Sequence, residues 1–227
     1  MEARAGSGAA SDEVTSQRIA GELRTAILAG GYPPGTWLRQ DELATRFGAS
    51  RLPVREALRI LHSEGLAETF PHRGTRVPLL DLAEIDILYR MRERLEPLTL
   101  SESIARINDE QVLRLEHLQD EIEANTDIGR FLALDRDFHM TSYAACPSEQ
   151  LLAITTRLWN ATQHYRRAFM MLVGTQDRRA VVDAEHRLIV DAVRRRDPED
   201  GERFLSGHIR RTRVALTGHP ELFHQDG

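Results

Sequence analysis

The spacing of apolar residues after Asp81 restricts the fold more than any other feature of the sequence. Apolar side chains recur there every three or four residues, the period of an amphipathic helix, and no segment shows the alternation typical of a strand. Short polar segments such as "NTD", "CPS" and "RRRDPED" interrupt the period. The pattern therefore predicts an all-α bundle of six or seven helices. The expected helices lie near 81–106 (bent or broken at Pro97), 109–124, 127–145, 148–172, 177–196 and 199–216.

The segment before Asp81 is organised differently. "TSQRIAGELRTAILAG" has helical periodicity, with Thr15 or Ser16 able to cap its start. After the turn "YPPG", the stretches "RQDELATRF" and "SRLPVREALRILHSEG" predict two further helices. "ETFPHRGTRV" contains two short extended runs around a turn, which predicts a β-hairpin. Three helices followed by a small hairpin form a winged helix-turn-helix, so the whole chain is expected to be mainly α.

Charge is distributed unevenly between these two parts. Residues 14–78 carry a net charge of +3, whereas residues 79–227 carry −6. A basic front part joined to an acidic back part suggests that each has a different partner.

The third helix concentrates arginine on one side. Arg51, Arg55 and Arg59 follow an i, i+4, i+8 spacing, opposite the apolar face formed by Val54 and Leu58. Like charges at this spacing repel by a few tenths of a kcal/mol. The stripe is either a solvated, mildly frustrated face or a surface whose guanidinium groups bind phosphates and base edges.

A long ordered pattern supports the second interpretation. The stretch from Ser16 to Val77, with "PG…L…LA…G.SR.PVREAL..L..EGL" nearly intact, resembles the N-terminal domain of GntR-type bacterial transcription regulators. The resemblance implies DNA recognition by the third helix, by the start of the second helix near Asp41, and by the wing. The residues expected to contact DNA are Arg39, Gln40, Ser50, Arg51, Arg55, His72 and Arg73.

Four residues of the back part have a spacing suited to a metal ion. Asp135 and His139 lie one helical turn apart. His186 precedes the turn at Asp197 by 11 residues, and His208 follows Pro198 by 10. Equal offsets from the turn of an antiparallel helix pair place two residues at the same height, so these two histidines can face each other.

Three imidazoles and one carboxylate suit zinc, nickel or manganese, although four unrelated polar side chains would give the same spacing. The order "D…H", "EH…I.DA…RD…", "H" is similar to the ligand-binding (FCD-type) domain of the FadR subfamily of the same regulators. That resemblance implies that Asp135, His139, His186 and His208 hold a divalent transition metal, with zinc as the first expectation.

Arg92 stands on an apolar helical stripe with Ile85, Leu88 and Leu95. Two interpretations are open for it. It can pair with Glu96 at i, i+4, or it can offer a guanidinium fork to the carboxylate of an effector.

These features favour a dimeric, non-enzymatic, ligand-responsive regulator, expected to be a repressor. The homodimer would bind an inverted repeat in a double-stranded DNA operator and respond to a small organic acid bound through the metal. Two alternatives are a metal-dependent hydrolase or oxygenase-type enzyme fused to a DNA-binding module, and a sensor of the metal itself. The enzyme is disfavoured because no acidic residue of the bundle can be placed as a general base.

The expected organisation is a disordered tail (1–13), a winged helix-turn-helix domain (14–78), an all-helical effector-binding and dimerisation domain (79–218) and a second tail (219–227). Cys146 is the single cysteine, so an intrachain disulfide is excluded. No run of about 20 apolar residues predicts a membrane span. A cytoplasmic protein with no membrane partner is the expectation.

Overall fold

The computed structural model describes residues 5–173 and 176–223. The chain divides into two compact units, with Leu80 ending the first and Asp81 beginning the second. This division lies two residues after the boundary expected from the sequence. None of the described helices combines the length and the apolar character that a membrane crossing requires.

From residue 5 onward, where the structure describes it, the first unit contains three helices and a small antiparallel sheet with the strand order β1-β3-β2. The sequence predicts the hairpin β2–β3 but not β1, because a strand of two residues is too short to show alternation. The elements are α1 (Ala5–Leu28), β1 (Trp37–Leu38), α2 (Gln40–Phe47), α3 (Arg51–Ser63), β2 (Glu68–Phe70) and β3 (Gly74–Arg76).

The first helix begins earlier than the sequence predicts. α1 starts at Ala5, inside the segment 1–13 expected to be a disordered tail. Thr15 and Ser16 therefore lie within the helix, and their prediction as its N-cap was wrong. The Ser16 hydroxyl donates to the carbonyl of Glu13 at 2.8 Å, a bond back to the preceding turn that serine forms when it lies inside a helix.

The core of the first unit joins α1 to α3. Ile19 and Leu23 of α1 and Val54 and Leu61 of α3 are all fully buried, which leaves the arginine stripe of α3 on the outside. Gly48 ends α2 with a φ of 58°, a left-handed conformation that favours glycine and that turns the chain into α3.

The second unit is the predicted all-α bundle. In its described residues six α-helices are followed by a 3₁₀ turn, Pro220–Leu222, which falls in the expected C-terminal tail. Capping boxes at Asp81 and Asn108 fix the starts of two helices. The helices are α4 (Leu82–Ile104), α5 (Asp109–Ala124), α6 (Ile128–Tyr143), α7 (Glu149–Val173), α8 (Gln176–Arg194) and α9 (Pro198–Thr217).

Helix α4 continues through Pro97, where the sequence predicts a bend or a break. Proline has no N–H, so the carbonyl of Glu93 loses its helical donor. The Ser206 hydroxyl of α9 lies 3.4 Å from that carbonyl and donates to it instead. Gly201 of α9 allows the close approach of the two helices, because a Cβ there would lie 2.5 Å from Cδ1 of Ile104.

Candidate functional site

Three buried imidazoles meet in the second unit. His139 comes from α6, His186 from α8 and His208 from α9, and their ligand atoms all lie within 4.8 Å of one another. The rings of His186 and His208 are 4.9 Å apart between centroids. The turn at Asp197 and Pro198 thus brings together the two histidines whose offsets from it are nearly equal.

Hydrogen bonds at Nδ1 orient two of these rings. His186 Nδ1 lies 2.9 Å from the amide oxygen of Gln119, and His208 Nδ1 lies 3.0 Å from a carboxylate oxygen of Glu185. Both oxygens can only accept, so each Nδ1 carries the proton and each Nε2 keeps a free lone pair. Glu185 is suited to this role because, although burial raises the pKa of its carboxyl, the hydrogen bonds and positive charges of His208 and Arg211 together lower that pKa below its usual value. Such outer contacts fix the tautomer of metal-binding histidines.

The third ring is oriented through a tyrosine. The Tyr143 hydroxyl donates to Glu96 at 2.7 Å, and its oxygen lies 3.3 Å from Nδ1 of His139. Since the hydroxyl proton is engaged by Glu96, the oxygen accepts from His139 Nδ1–H. Nε2 of His139 is therefore also left as a potential ligand.

Burial keeps the imidazoles of His139 and His186 neutral. Burial lowers the pKa of His186 to about 3, with a further contribution from His208. Burial likewise holds the pKa of His139 well below its usual value. Neutral imidazole is the form that binds a metal ion.

Asp135 lies beside the three histidines, one helical turn before His139. Its Oδ1 atom is 3.7 Å from Nε2 of His186, and both of these buried atoms lack a hydrogen-bond partner within the described part of the chain. Oδ2 accepts a hydrogen bond from Arg166. Burial alone would raise the pKa of Asp135, but Arg166, with His139 and His186, holds it well below its usual value. A cation between Oδ1 and Nε2 would satisfy both unpaired atoms, so these residues fit a metal ion.

Arg166 was not identified from the sequence. It lies on α7 at the same helical face as Trp159 and Thr162, and all three are buried. The spacing 159, 162, 166 is visible in the sequence and marks an arginine on a core-facing stripe. That stripe is the signal that could have pointed to it.

Arg92 forms a buried ion pair with Glu96, which is one of the two interpretations left open by the sequence. Its guanidinium also donates to the hydroxyl of Thr162 at 2.9 Å and lies over the rings of Tyr89 and Trp159, with centroid distances of 4.8 and 4.6 Å. Glu96 in turn accepts from Trp159 Nε1 at 2.8 Å. The pair is therefore enclosed by hydrogen bonds and aromatic faces.

Two adjoining cavities reach the histidines. The inner cavity has room for only about 10 Å³ and is lined by Tyr89, Arg92, His139, Trp159, Arg166, His208, Ile209 and Thr212. The outer cavity measures about 480 Å³ and shares Arg166, His208 and Thr212 with the inner one. The Tyr89 hydroxyl is buried and has no hydrogen-bond partner within the described part of the chain.

In the first unit, the structure groups four of the seven predicted DNA contacts. Arg39, Gln40, Arg51 and Arg73 line one cleft together with Asp41. Arg51 Nε lies 2.6 Å from Oδ1 of Asp41. The other three predicted contacts, Ser50, Arg55 and His72, lie outside the lining of this cleft. Ser50 is the N-cap of α3, Arg55 is exposed one turn beyond Arg51, and His72 has a φ of 61° between β2 and β3.

Comparison with known proteins covers both units. Residues 15–77 match the bacterial regulatory proteins of the gntR family, and residues 86–211 match the FCD domain. A probable D-xylose utilization operon transcriptional repressor of Paenarthrobacter nicotinovorans is 31% identical over 88% of this chain and 90% of its own. The transcriptional repressor GlaR of Escherichia coli is 29% identical over 82% of this chain and 89% of its own. E. coli McbR/YncC shares the fold, with a TM-score of 0.78 and 20% identity over 90% of this chain and 98% of its own.

The enclosed ion pair leads to a prediction about stability. Arg92→Ala leaves Glu96 as a buried, uncompensated charge and should lower the free energy of unfolding by about 3–5 kcal/mol. Urea denaturation measures the change. Arg90→Ala on the same helix removes an exposed side chain, so its free energy of unfolding should stay within about 0.5 kcal/mol of that of the unmodified chain. A loss below about 1 kcal/mol for Arg92→Ala would contradict the importance of the pair.

Proposed function

This chain belongs to the GntR family of bacterial regulatory proteins and carries an FCD domain, and on that premise we propose that it is a repressor controlled by a small organic acid bound at a metal site. The first unit would bind the operator and the second would hold the metal and the acid. Relatives that match over most of their length are named as transcriptional repressors, which supports repression. The same relatives favour a regulator over a metal-dependent hydrolase or oxygenase.

The metal proposal rests on two buried atoms that lack a hydrogen-bond partner in the described ranges, Asp135 Oδ1 and His186 Nε2. Together with His139 and His208 they would hold a divalent transition metal. Zinc is the first candidate, and nickel and manganese are the alternatives. When bound, the ion would supply positive charge for the carboxylate of an acid. This chain's own contribution is the fixed tautomers of its three histidines and the positive charges of Arg92 and Arg166 on the inner cavity.

A homodimer on an inverted repeat is the second part of the proposal. Ile87, Met91 and Leu98 form an exposed apolar stripe along α4, which supports burial against another copy of the chain. Two symmetric copies would present two copies of α3 to two half-sites of one operator.

Metal removal gives the first test of this function. A chelator should lower the melting temperature of the full chain, by about 5–10 °C if the metal contributes about 2.7 kcal/mol at a hundred times its dissociation constant. The His186→Ala variant should bind less than about a tenth of an equivalent of metal, and its melting temperature should no longer change on adding chelator. The exposed His117→Ala is the matched control and should behave like the unmodified chain. A melting temperature that chelator leaves unchanged in the unmodified chain would refute the metal site.

DNA recognition gives the second test. Arg51→Ala and Arg55→Ala should each weaken binding to the operator, located by footprinting upstream of the gene, by about 1–3 kcal/mol in gel-shift titrations. Arg18→Ala, an exposed arginine of α1 paired with Glu22, is the control and should change little. Unchanged affinity in both α3 variants would rule out this DNA-binding surface.

The acid-responsive repressor and the metal sensor differ in what releases the DNA. Metal-loaded protein should stay on the operator until an acid is added. Release by zinc, nickel or manganese alone would identify the metal itself as the signal.

A further inference from the structure

We infer that the effector is a carboxylic acid with a hydrocarbon tail and not a polyhydroxylated sugar acid. This inference rests on the proposed function, since it assigns a chemical class to the acid. It comes from the division of the site into two cavities with different linings. The inner one is small and lined largely by arginine, histidine and aromatic side chains, whereas the outer one is large and mainly apolar.

The walls of the outer cavity suit a hydrocarbon. Its volume of about 480 Å³ lies within the usual range for small-molecule sites. Thr212 is the only described lining residue with a hydroxyl group. Sugar hydroxyls on such walls would lose their hydrogen bonds to water without replacement, whereas methylene groups would gain from burial. The apolar lining consists of Phe131, Phe169, Met170, Val181, Val182, Val214 and Ala215, with Gly218 beside them.

The charged groups on the outer walls already have partners. Arg211 Nε donates to Glu185 at 2.6 Å, and the second carboxylate oxygen of Glu185 accepts from His208. Arg179 donates to the carbonyl oxygens of Ile122 and Glu123. These contacts occupy both carboxylate oxygens of Glu185. Each arginine keeps further N–H donors, so it is the apolar walls that disfavour hydroxyl groups along a ligand's chain.

The head of the acid belongs where the two cavities meet. Arg166, His208 and Thr212 line both cavities. The hydrogen bond from Arg166 to Asp135 uses one of the five N–H donors of the guanidinium, so the fork can still bind a carboxylate. The Tyr89 hydroxyl on the inner cavity is fully buried and has no hydrogen-bond partner among the described residues, so it is available to donate to the same carboxylate.

Hexanoate and gluconate provide a matched pair of probes. Both have six carbons and one carboxylate, and they differ in the five hydroxyl groups of gluconate. Isothermal titration of the full metal-loaded chain should show hexanoate binding more tightly than gluconate. Octanoate should bind about fifteenfold more tightly than hexanoate, because each buried methylene contributes about fourfold. Tighter binding of gluconate, or equal binding of hexanoate and octanoate, would overturn the inference.

Two variants separate the tail from the head. Val182→Phe fills part of the outer cavity and should reduce the preference for octanoate over hexanoate to less than about threefold. Leu188→Phe on the same helix is exposed, lies outside both cavity linings and should keep the full preference. Tyr89→Phe should weaken the binding of hexanoate and of octanoate by the same factor, about tenfold, because it removes a hydrogen bond to a charged group.

The Tyr89 variant also has a stability control. The Tyr89 hydroxyl has no hydrogen-bond partner in the part of the chain that the structure describes, so Tyr89→Phe should not lower the melting temperature. Weaker binding with an unchanged melting temperature supports a direct contact with the acid, whereas unchanged binding would remove Tyr89 from the head site. If octanoate binds as expected but the operator affinity does not change, the proposed regulatory function fails and the assignment of the cavity stands.

Discussion

The placement of an ionised carboxylate inside a helical bundle is the constraint on which the rest of the second unit depends. Asp135 is fully buried, and a buried charge is stable only when it is paired and hydrogen-bonded. Arg166 neutralises one carboxylate oxygen of Asp135, and the other faces His186 with no hydrogen-bond partner among the described residues. A divalent cation bound by the three histidines would complete this neutralisation and would connect α6, α8 and α9 through a single ion.

A second buried ion pair is linked to the first through Trp159. The guanidinium groups of Arg92 and Arg166 lie over its indole ring, at 4.6 and 5.4 Å from the centroid. Glu96 accepts hydrogen bonds from Trp159 and from Tyr143, and Tyr143 accepts one from His139. The orientation of one proposed metal ligand is thus tied to α4, the helix that begins directly after the boundary between the units. A change at the metal site therefore has a short, hydrogen-bonded route to α4.

Much of this arrangement is encoded locally and could be predicted. The limits of α5 agree with the sequence because Asn108 and Gln111 form a capping box. The meeting of His186 and His208 follows from their offsets from one turn. Gln119, Glu185 and Arg166 were missed, because outer contacts depend on the rotation of neighbouring helices, which periodicity does not determine. The early start of α1 was missed since small and polar residues give no apolar period to detect.

X-ray absorption spectroscopy of the full chain, purified without chelator, tests the central claim most directly. The account predicts about one equivalent of zinc, nickel or manganese, with the scattering pattern of three imidazoles and, for zinc, nitrogen ligands at about 2.0–2.1 Å. His208→Ala should reduce the imidazole contribution by about one third or abolish metal binding. A spectrum without imidazole ligands, or a protein with less than about a tenth of an equivalent of metal that gains none on adding these ions, would contradict the account.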